Sequence, residues 1–308
     1  HLLPLQDGSR TDVSIVFADR DDNIWLSASS HIMKCSYEGG RLKAEFSRPT
    51  LFPMAIEQDE NGTVWIATAS EYICYLRSGD SEIQYLKPLT MGYTFIPSIL
   101  PYGHRLLVGA FMSPLKEVDT ETFAYRDADV DDEAWKGSIR RSVFIPTDMF
   151  VDEEGDIWIG TVANGLLRYD PETGDISPVP GAPCTDISAI EEDLQGNLWV
   201  STLYGLGKYD RSVDKFINWF EADGIGGNQF YDRASCSLSD GTMVFGGTHG
   251  LTIFDPIAVT DHRDISVYFE DLKVHNRLVR PGVDDCIDRA LPYGPEIRLD
   301  HDQNSFSI

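Results

Sequence analysis

Apolar and polar residues alternate along most of this chain in short runs, and turn-forming residues break the runs at regular intervals. Ile187 to Glu192, Leu198 to Thr202, Gly205 to Tyr209 and Lys215 to Phe220 form one such series, each rich in β-branched or aromatic residues. That is the composition of half-buried strands. Between the first two lies Asp193-Leu194-Gln195-Gly196. An Asp side chain there bonds its own backbone and Gly accepts a positive φ, so the chain reverses. The series predicts one four-stranded antiparallel sheet, inner strand first and outer strand last.

The frame recurs. DRDDNIWLSAS from Asp19, DENGTVWIATA from Asp59, DEEGDIWIGTV from Asp152 and DLQGNLWVSTL from Asp193 place Trp25, Trp65, Trp158 and Trp199 at one position of the second strand. Two further copies, GHRLLVGAF and LSDGTMVFGGTHG, hold Leu107 and Val244 in that place. Successive anchors are 40, 42, 51, 41 and 45 residues apart. A period in this range, carrying several short strands, is that of a β-propeller blade. The expected fold class is all-β, a β-propeller of four-stranded blades with six repeats detectable. A lone sheet cannot dry its tryptophan, whereas a neighbouring blade covers it and buries on the order of 150–250 Å² per ring. Trp25, Trp65, Trp158 and Trp199 are therefore read as structural anchors, together with the Asp and Gly of each turn.

The regularity breaks in three places. DADVDDEAWKGSIRRSVF, Asp127 to Phe144, lengthens one connection between blades. In a propeller such connections share a face with the loops joining second and third strands, so insertions there build that face's binding surface. Trp135, Arg140 and Arg141 form either a lip over the central funnel or a solvated loop with internal ion pairs. FEADGIGGNQFYDRAS, Phe220 to Ser235, is a second connection on the same face. At the start, HLLPLQDGSR is either the outer strand of the last blade, closing the ring against Thr252 to Phe254, or a linker strand. The propeller is expected over residues 1–257. From 258 to 308 the stretches ISVYFEDLKVHNRLV and IRLDHDQNSFSI alternate with no turn–Trp motif, and a linker followed by the N-terminal strands of a β-sandwich is expected. The opening in mid-sheet sequence and the ending in mid-strand suggest a fragment of a longer protein.

Charge narrows the partners. With 25 Lys and Arg against 50 Asp and Glu, the formal net charge is −25, which argues against nucleic acid, anionic membrane surfaces and strongly acidic ligands. Five cysteines, Cys35, Cys74, Cys184, Cys236 and Cys286, are scattered without a close pair, so no zinc ribbon or thioredoxin-like motif is present. The acidic turn from Asp19 to Asn23 lacks the Gly and Glu of a calcium loop, with Ile24 and Ser30 in their places. No metal and no cofactor are expected. No apolar run approaches the ~18–20 residues of a membrane span.

The D-x-x-G-x-x-W-[IV]-[GAS]-T frame followed by G-L-x-x-Y-D, as in Asp152 to Asp170 and Asp193 to Asp210, resembles the two-component regulator propeller repeat. NQFYDRASCSLSDGTMVFGGTHGLTIFDP, Asn228 to Pro256, resembles the final propeller blade of the same sensors. LDHDQNSFSI, Leu299 to Ile308, resembles the opening of the triple-tyrosine β-sandwich that follows. The resemblance implies the periplasmic sensor region of a hybrid histidine kinase and response regulator, in which propellers and a sandwich precede a membrane helix, a kinase, a receiver and a DNA-binding module. It implies detection of a glycan fragment, control of polysaccharide-utilisation genes and a homodimeric full-length protein. It also implies a parent ring of seven blades, against six here.

By propeller topology, one face collects His31, Glu71, Asn164, Tyr204 and His249 from loops between second and third strands. The connections between blades add Tyr93, Trp135, Arg140, Arg141, Gln229, Tyr231 and Arg233. Aromatic faces hold sugar C–H groups and planar polar side chains hold their hydroxyls, and this set contains both kinds. The expected ligand is an oligosaccharide, neutral because the body is acidic, sensed without a bond being broken. Two alternatives stay open: a protein-interaction scaffold of WD or kelch type, which the missing Gly-His and Trp-Asp pairs disfavour, and a glycan-cleaving propeller. The latter's Asp boxes are one residue shorter than the frame found here, and no paired acid and nucleophile stands out.

Overall fold

A computed structural model of the chain describes residues 2–4, 10–28, 31–38, 41–70, 72–86, 95–111, 113–128, 144–259, 269–293 and 296–308. They form two compact units, His1–Val259 and Thr260–Ile308, and no α-helix is found among them.

In unit 1, β1 (Leu2–Pro4) precedes blade one, β2 (Arg10–Ala18), β3 (Ile24–Ala28), β4 (His31–Glu38) and β5 (Arg41–Pro49). Blade two is β6 (Pro53–Gln58), β7 (Val64–Thr68), β8 (Ile73–Leu76) and β9 (Gln84–Tyr85). Blade three is β10 (Ser98–Tyr102), β11 (Arg105–Gly109), β12 (Lys116–Asp119) and β13 (Tyr125–Asp127). Blade four is β14 (Pro146–Val151), β15 (Ile157–Thr161), β16 (Leu166–Tyr169) and β17 (Ile176–Val179). Blade five is β18 (Ile187–Glu192), β19 (Leu198–Thr202), β20 (Gly205–Asp210) and β21 (Lys215–Trp219). Blade six has three strands, β22 (Phe230–Ser237), β23 (Met243–Gly247) and β24 (Gly250–Phe254). Every blade is an antiparallel meander in sequence order, as the hydrophobic pattern predicted. The chain is a β-propeller of such blades.

The turns explain why the meanders form. Gly62, Gly155 and Gly196 take φ of +80°, +88° and +78°, and blade one places Asp22 at φ +60° in the same position. Asp and Asn tolerate this left-handed backbone better than other side chains. In each of the four turns the first Asp accepts two backbone N–H groups with Oδ1 and the indole N–H of the anchor with Oδ2. The indole distances are 2.8 Å for Trp25 to Asp19 and Trp65 to Asp59, 2.6 Å for Trp158 to Asp152 and 2.8 Å for Trp199 to Asp193.

The core lies between blades. Trp25 packs with Ile56, Ile66 and Cys74 of blade two, and Trp65 with Ile99, Leu106 and Val108 of blade three. Leu107 takes the anchor role for blade three and meets Ile157, Ile159 and Leu167. Trp158 meets Leu198, Val200 and Tyr209, and Trp199 stacks on Trp219 at 5.2 Å and meets Phe254 at 4.8 Å. Cys35 and Cys74 sit in different clusters, each on the face of its blade away from that blade's Trp, and all five cysteines are free. Arg211 clamps blades four and five, reaching Asp152 at 2.9 Å, Glu192 at 3.0 Å and Glu154 at 3.1 Å, with its guanidinium over Trp158.

One of the two readings of the N-terminal strand is overturned. β1 pairs with β2, Leu2 opposite Asp12 and Pro4 opposite Arg10, so it does not complete blade six against Thr252 to Phe254. β24 pairs with β23, and no fourth strand joins it among the described residues. Among the described residues of unit 2 the strands are β25 (Lys273–Val274), β26 (Arg277–Leu278) and β27 (Phe306–Ser307), ordered β26-β25-β27 around Leu272, Val274, Val279, Cys286 and Ile287. His275 and Asn276 take φ of +49° and +61°, which ends one strand and starts the next where the pattern predicted continuity. Residues 260–268, which include the first four residues of the stretch ISVYFEDLKVHNRLV, lie outside the described residues.

Candidate functional site

The loops of blades four to six form a stitched surface. Leu203 and Tyr204 make the turn between β19 and β20, and the Tyr204 ring, 57% exposed, lies 5.5 Å from Phe220. The following Gly205 takes φ +108°, and a Cβ there would stand 2.9 Å from both the Phe220 ring and the Trp219 carbonyl. Only glycine fits that approach. The segment from Phe220 to Gln229 is held from both sides. Asn228 accepts the Glu221 N–H on Oδ1 at 2.7 Å and the Gly205 N–H on its carbonyl at 2.8 Å, while the Gln229 carbonyl accepts the Thr248 N–H at 3.0 Å. His249, exposed, bonds Thr248 through Nδ1 and lies against Gly227, whose missing side chain leaves it room. One blade back, the Asp186 carboxylate accepts the Ala163 N–H at 3.2 Å and Gly165 donates to the Thr185 carbonyl, which fixes the Asn164 turn.

Of the residues chosen by topology, Tyr204, Gln229, Tyr231 and His249 stand exposed on blades five and six, with Tyr231 at 59%. Asn164 occupies the neighbouring blade-four turn. His31 is the first residue of β4, opposite Pro49. Arg233 is drawn away from the exposed surface into the axis of the ring. Trp135, Arg140, Arg141, Tyr93 and Glu71 lie outside the described residues. Sequence reading missed Asn228, whose backbone and side chain organise the whole connection. The signal was present in the Gly-Gly-Asn-Gln run, but a polar residue in a loop does not announce its partners.

Below the loops, polar side chains of the inner strands meet in a bonded cluster. Arg233 bonds Glu57 of β6 and the Ser98 hydroxyl of β10, the latter at 3.2 Å, and stands 3.5 Å from Asp148 of β14. Asp148 also accepts the Ile190 N–H at 2.9 Å, tying blade four to five. The Thr147 hydroxyl donates to the Ile187 carbonyl at 2.6 Å and the Ser188 hydroxyl to the Phe230 carbonyl at 3.2 Å, repeating one link at two successive junctions. Burial pushes the Glu57 and Asp148 carboxyls upward despite the neighbouring guanidinium. The cluster thus sets two carboxyls against one guanidinium. Among the described residues no group of His, Cys, Asp and Glu is arranged to hold a metal ion.

No protein-family model matches the chain. Over 152 residues, 48% of the chain, it is 28% identical to histidine kinase P4 of Formosa agariphila, and it spans about a tenth of that relative, 11% of its length. Its fold is similar to the extracellular domain of a hybrid two-component system of B. thetaiotaomicron, with a TM-score of 0.71 at 20% identity, covering 98% of this chain and 42% of that one. It is also similar, with a TM-score of 0.61 at 14% identity, to an inactive histidine-to-alanine variant of virginiamycin B lyase from Staphylococcus aureus with quinupristin, covering 85% and 89% of the two chains.

Proposed function

We propose that this chain is a ligand-sensing propeller from the extracytoplasmic region of a hybrid two-component sensor kinase, and that its ligand is a neutral oligosaccharide. The similarity to extracellular sensor domains and to a histidine kinase supports the first half. The exposed set of Tyr204, Gln229, Tyr231 and His249, beside a cluster rich in carboxyls, carries the second. Rings cover sugar C–H faces, the amide and imidazole bond hydroxyls, and the negative surroundings turn acidic sugars away. The ligand shifts a conformational balance that reaches the rest of the same, dimeric, periplasmic sensor chain and through it polysaccharide-utilisation genes.

The likeness to a lyase gives an enzymatic reading a specific footing, and the site chemistry weighs against it. His249 is bonded to Thr248, and the other histidines of unit 1 that are described, His31 and His104, lie in blades one and three. Isothermal titration calorimetry against neutral and acidic oligosaccharides, with product analysis of the same samples, tests both readings. Saturable binding of a neutral glycan without cleavage is the expected result. Turnover would make the site catalytic, and binding restricted to sulfated or uronic glycans would overturn the assignment of a neutral ligand.

A further inference from the structure

Blades one and two meet as blades four and five do, with one side chain missing. At the junction of blades four and five, Tyr209 pairs with Leu198 beside the anchor Trp199, and Arg211 stands just beyond it. Its guanidinium bonds Asp152, Glu154 and Glu192 at 2.9, 3.1 and 3.0 Å and lies 5.6 Å from the Trp158 ring. At the junction of blades one and two the register is the same. Leu76 pairs with Val64 beside Trp65, and Ser78 stands in the place of Arg211. Asp19 and Asp21 replace Asp152 and Glu154, Trp25 replaces Trp158, and Gln58 replaces Glu192. The backbone repeats the match, since Gln58 accepts the Arg20 N–H at 2.9 Å as Glu192 accepts the Glu153 N–H at 3.0 Å. A serine does not fill the space of an arginine, and a cleft of about 130 Å³ opens among Asp19, Asp21, Trp25, Gln58 and Ser78.

We propose that this cleft binds a guanidinium group supplied from outside the chain, in the place that Arg211 fills three blades further on. The cations nearby are engaged elsewhere. Lys34 lies 5.7 Å from the Trp25 ring and is paired with that residue across the strands, as Arg168 lies 6.0 Å from Trp158 and is paired with it. Lys34 is thus the counterpart of Arg168 and not of Arg211. The Arg77 guanidinium sits 5.5 Å from each of the Tyr75 and Phe123 rings, which pack with Trp65 against blade three. The Asn23 amide reaches both oxygens of Asp19 at 2.9 Å, but it is neutral and leaves the charge unmatched. Among the described residues neither Asp19 nor Asp21 has an ion pair. Asp80 adds a third carboxylate to the lining of the cleft.

Size and chemistry both select this group. A cavity of roughly 150 Å³ takes a benzene ring, so a smaller planar guanidinium fits the cleft. Its flat fork meets carboxylates edge-on and an aromatic ring face-on, whereas an ammonium is a point charge without that fork. The same group is carried by the side chain of an arginine on a partner protein and by a free arginine-like molecule. The cleft lies at the end of the strands that carries the Asp turns, and Tyr204 and His249 lie at the other end. The site is therefore independent of the sugar reading.

The Trp25 indole N–H, which donates to Asp19 at 2.8 Å, reports on the cleft. Titrating the intact nitrogen-15-labelled chain with methylguanidinium chloride at fixed ionic strength should move its resonance saturably. Half-saturation is expected on the order of 1 mM, because so small a cation makes few contacts to offset its lost freedom. The Trp158 indole should stay still, since Arg211 fills that site, and methylurea, neutral and of the same shape, should move neither. Ser78→Arg should abolish the response by supplying the chain's own guanidinium. Asp21→Asn should weaken binding by about two- to fivefold, the effect of one exposed ion pair. Should Ser78→Arg fail to fold, methylurea and Asp21→Asn decide. Free L-arginine and an arginine flanked by glycines in a capped peptide separate the sources: tighter binding of the first assigns a small molecule, and of the second a partner's arginine. A shift that grows without saturating, an equal response to methylurea, or binding that survives Ser78→Arg overturns the site.

Discussion

Six positions separate Asp19 from Trp25, Asp59 from Trp65, Asp152 from Trp158 and Asp193 from Trp199, and in all four the carboxylate that caps the turn also receives the indole N–H. The aspartate therefore serves two ends. It closes the turn by accepting backbone N–H groups, and it fixes the angle at which the ring enters the next blade. Where the tryptophan is missing the aspartate is missing too: Leu238 stands six residues before Val244, and blade three turns through Gly103 and His104 alone. At Asp19 burial pushes the carboxyl up, but the bonds from Trp25, Asn23 and Asp21 outweigh it and leave the group below its usual value. A double-mutant cycle in blade two, Asp59→Asn with Trp65→Phe, should show a coupling of about 1–3 kcal/mol in chemical denaturation, because the indole bond is buried and charge-assisted. Asp59→Ala should cost more, about 2–4 kcal/mol, since two turn amides also lose their acceptor. Additive single effects would mean that turn and anchor are independent.

At the scale of the element, strands were legible and their connections were not. Ile187 to Glu192 and Leu198 to Thr202 fall where alternation and the Asp-x-x-Gly turn put them, because a strand's period is local and a buried face enforces it. The connection from Phe220 to Gln229 has no such period. Its path depends on Asn228 bonding Glu221 and Gly205 at once, and on Gly205 standing against Phe220 and the Trp219 carbonyl. These are meetings of separate segments, invisible until the sheet exists. They also make Gly205 a sharp test. Gly205→Ala places a methyl group where backbone and ring already stand, and adds a side chain at a positive φ, so a loss of about 2–3 kcal/mol is expected. A thermal shift of the variant, read with the exposure of Tyr204 to a quencher, checks it. An unchanged melting temperature would show that the connection gives way, and that Tyr204 is not rigidly placed.

At the scale of the molecule, the repeat spacing revealed the ring because each blade packs on the next in sequence. The axis was hidden. Arg233 meets Ser98 and Glu57 across 135 and 176 residues, and nothing periodic marks such a partner, so the sequence placed this arginine on the ligand face. The same scale decides the role of charge. A formal charge of −25 repels itself throughout the folded state, whereas exposed ion pairs such as Arg168 with Asp156 and Arg298 with Glu296 are each worth about 0–1 kcal/mol. Salt screens both, since the Debye length falls from about 10 Å at 0.1 M to about 3 Å at 1 M. With fifty acidic residues against twenty-five basic ones, relief of repulsion should exceed the loss of surface pairs, and the partly buried pairs of Arg211 and Arg233 are screened least. Raising sodium chloride from 0.05 to 0.5 M should therefore raise the melting temperature, by about 2–4 °C for each kcal/mol recovered in a chain of this size. Scanning calorimetry across that range measures it. A melting temperature that falls with salt would mean that local pairing, and not net repulsion, governs the electrostatics of the ring.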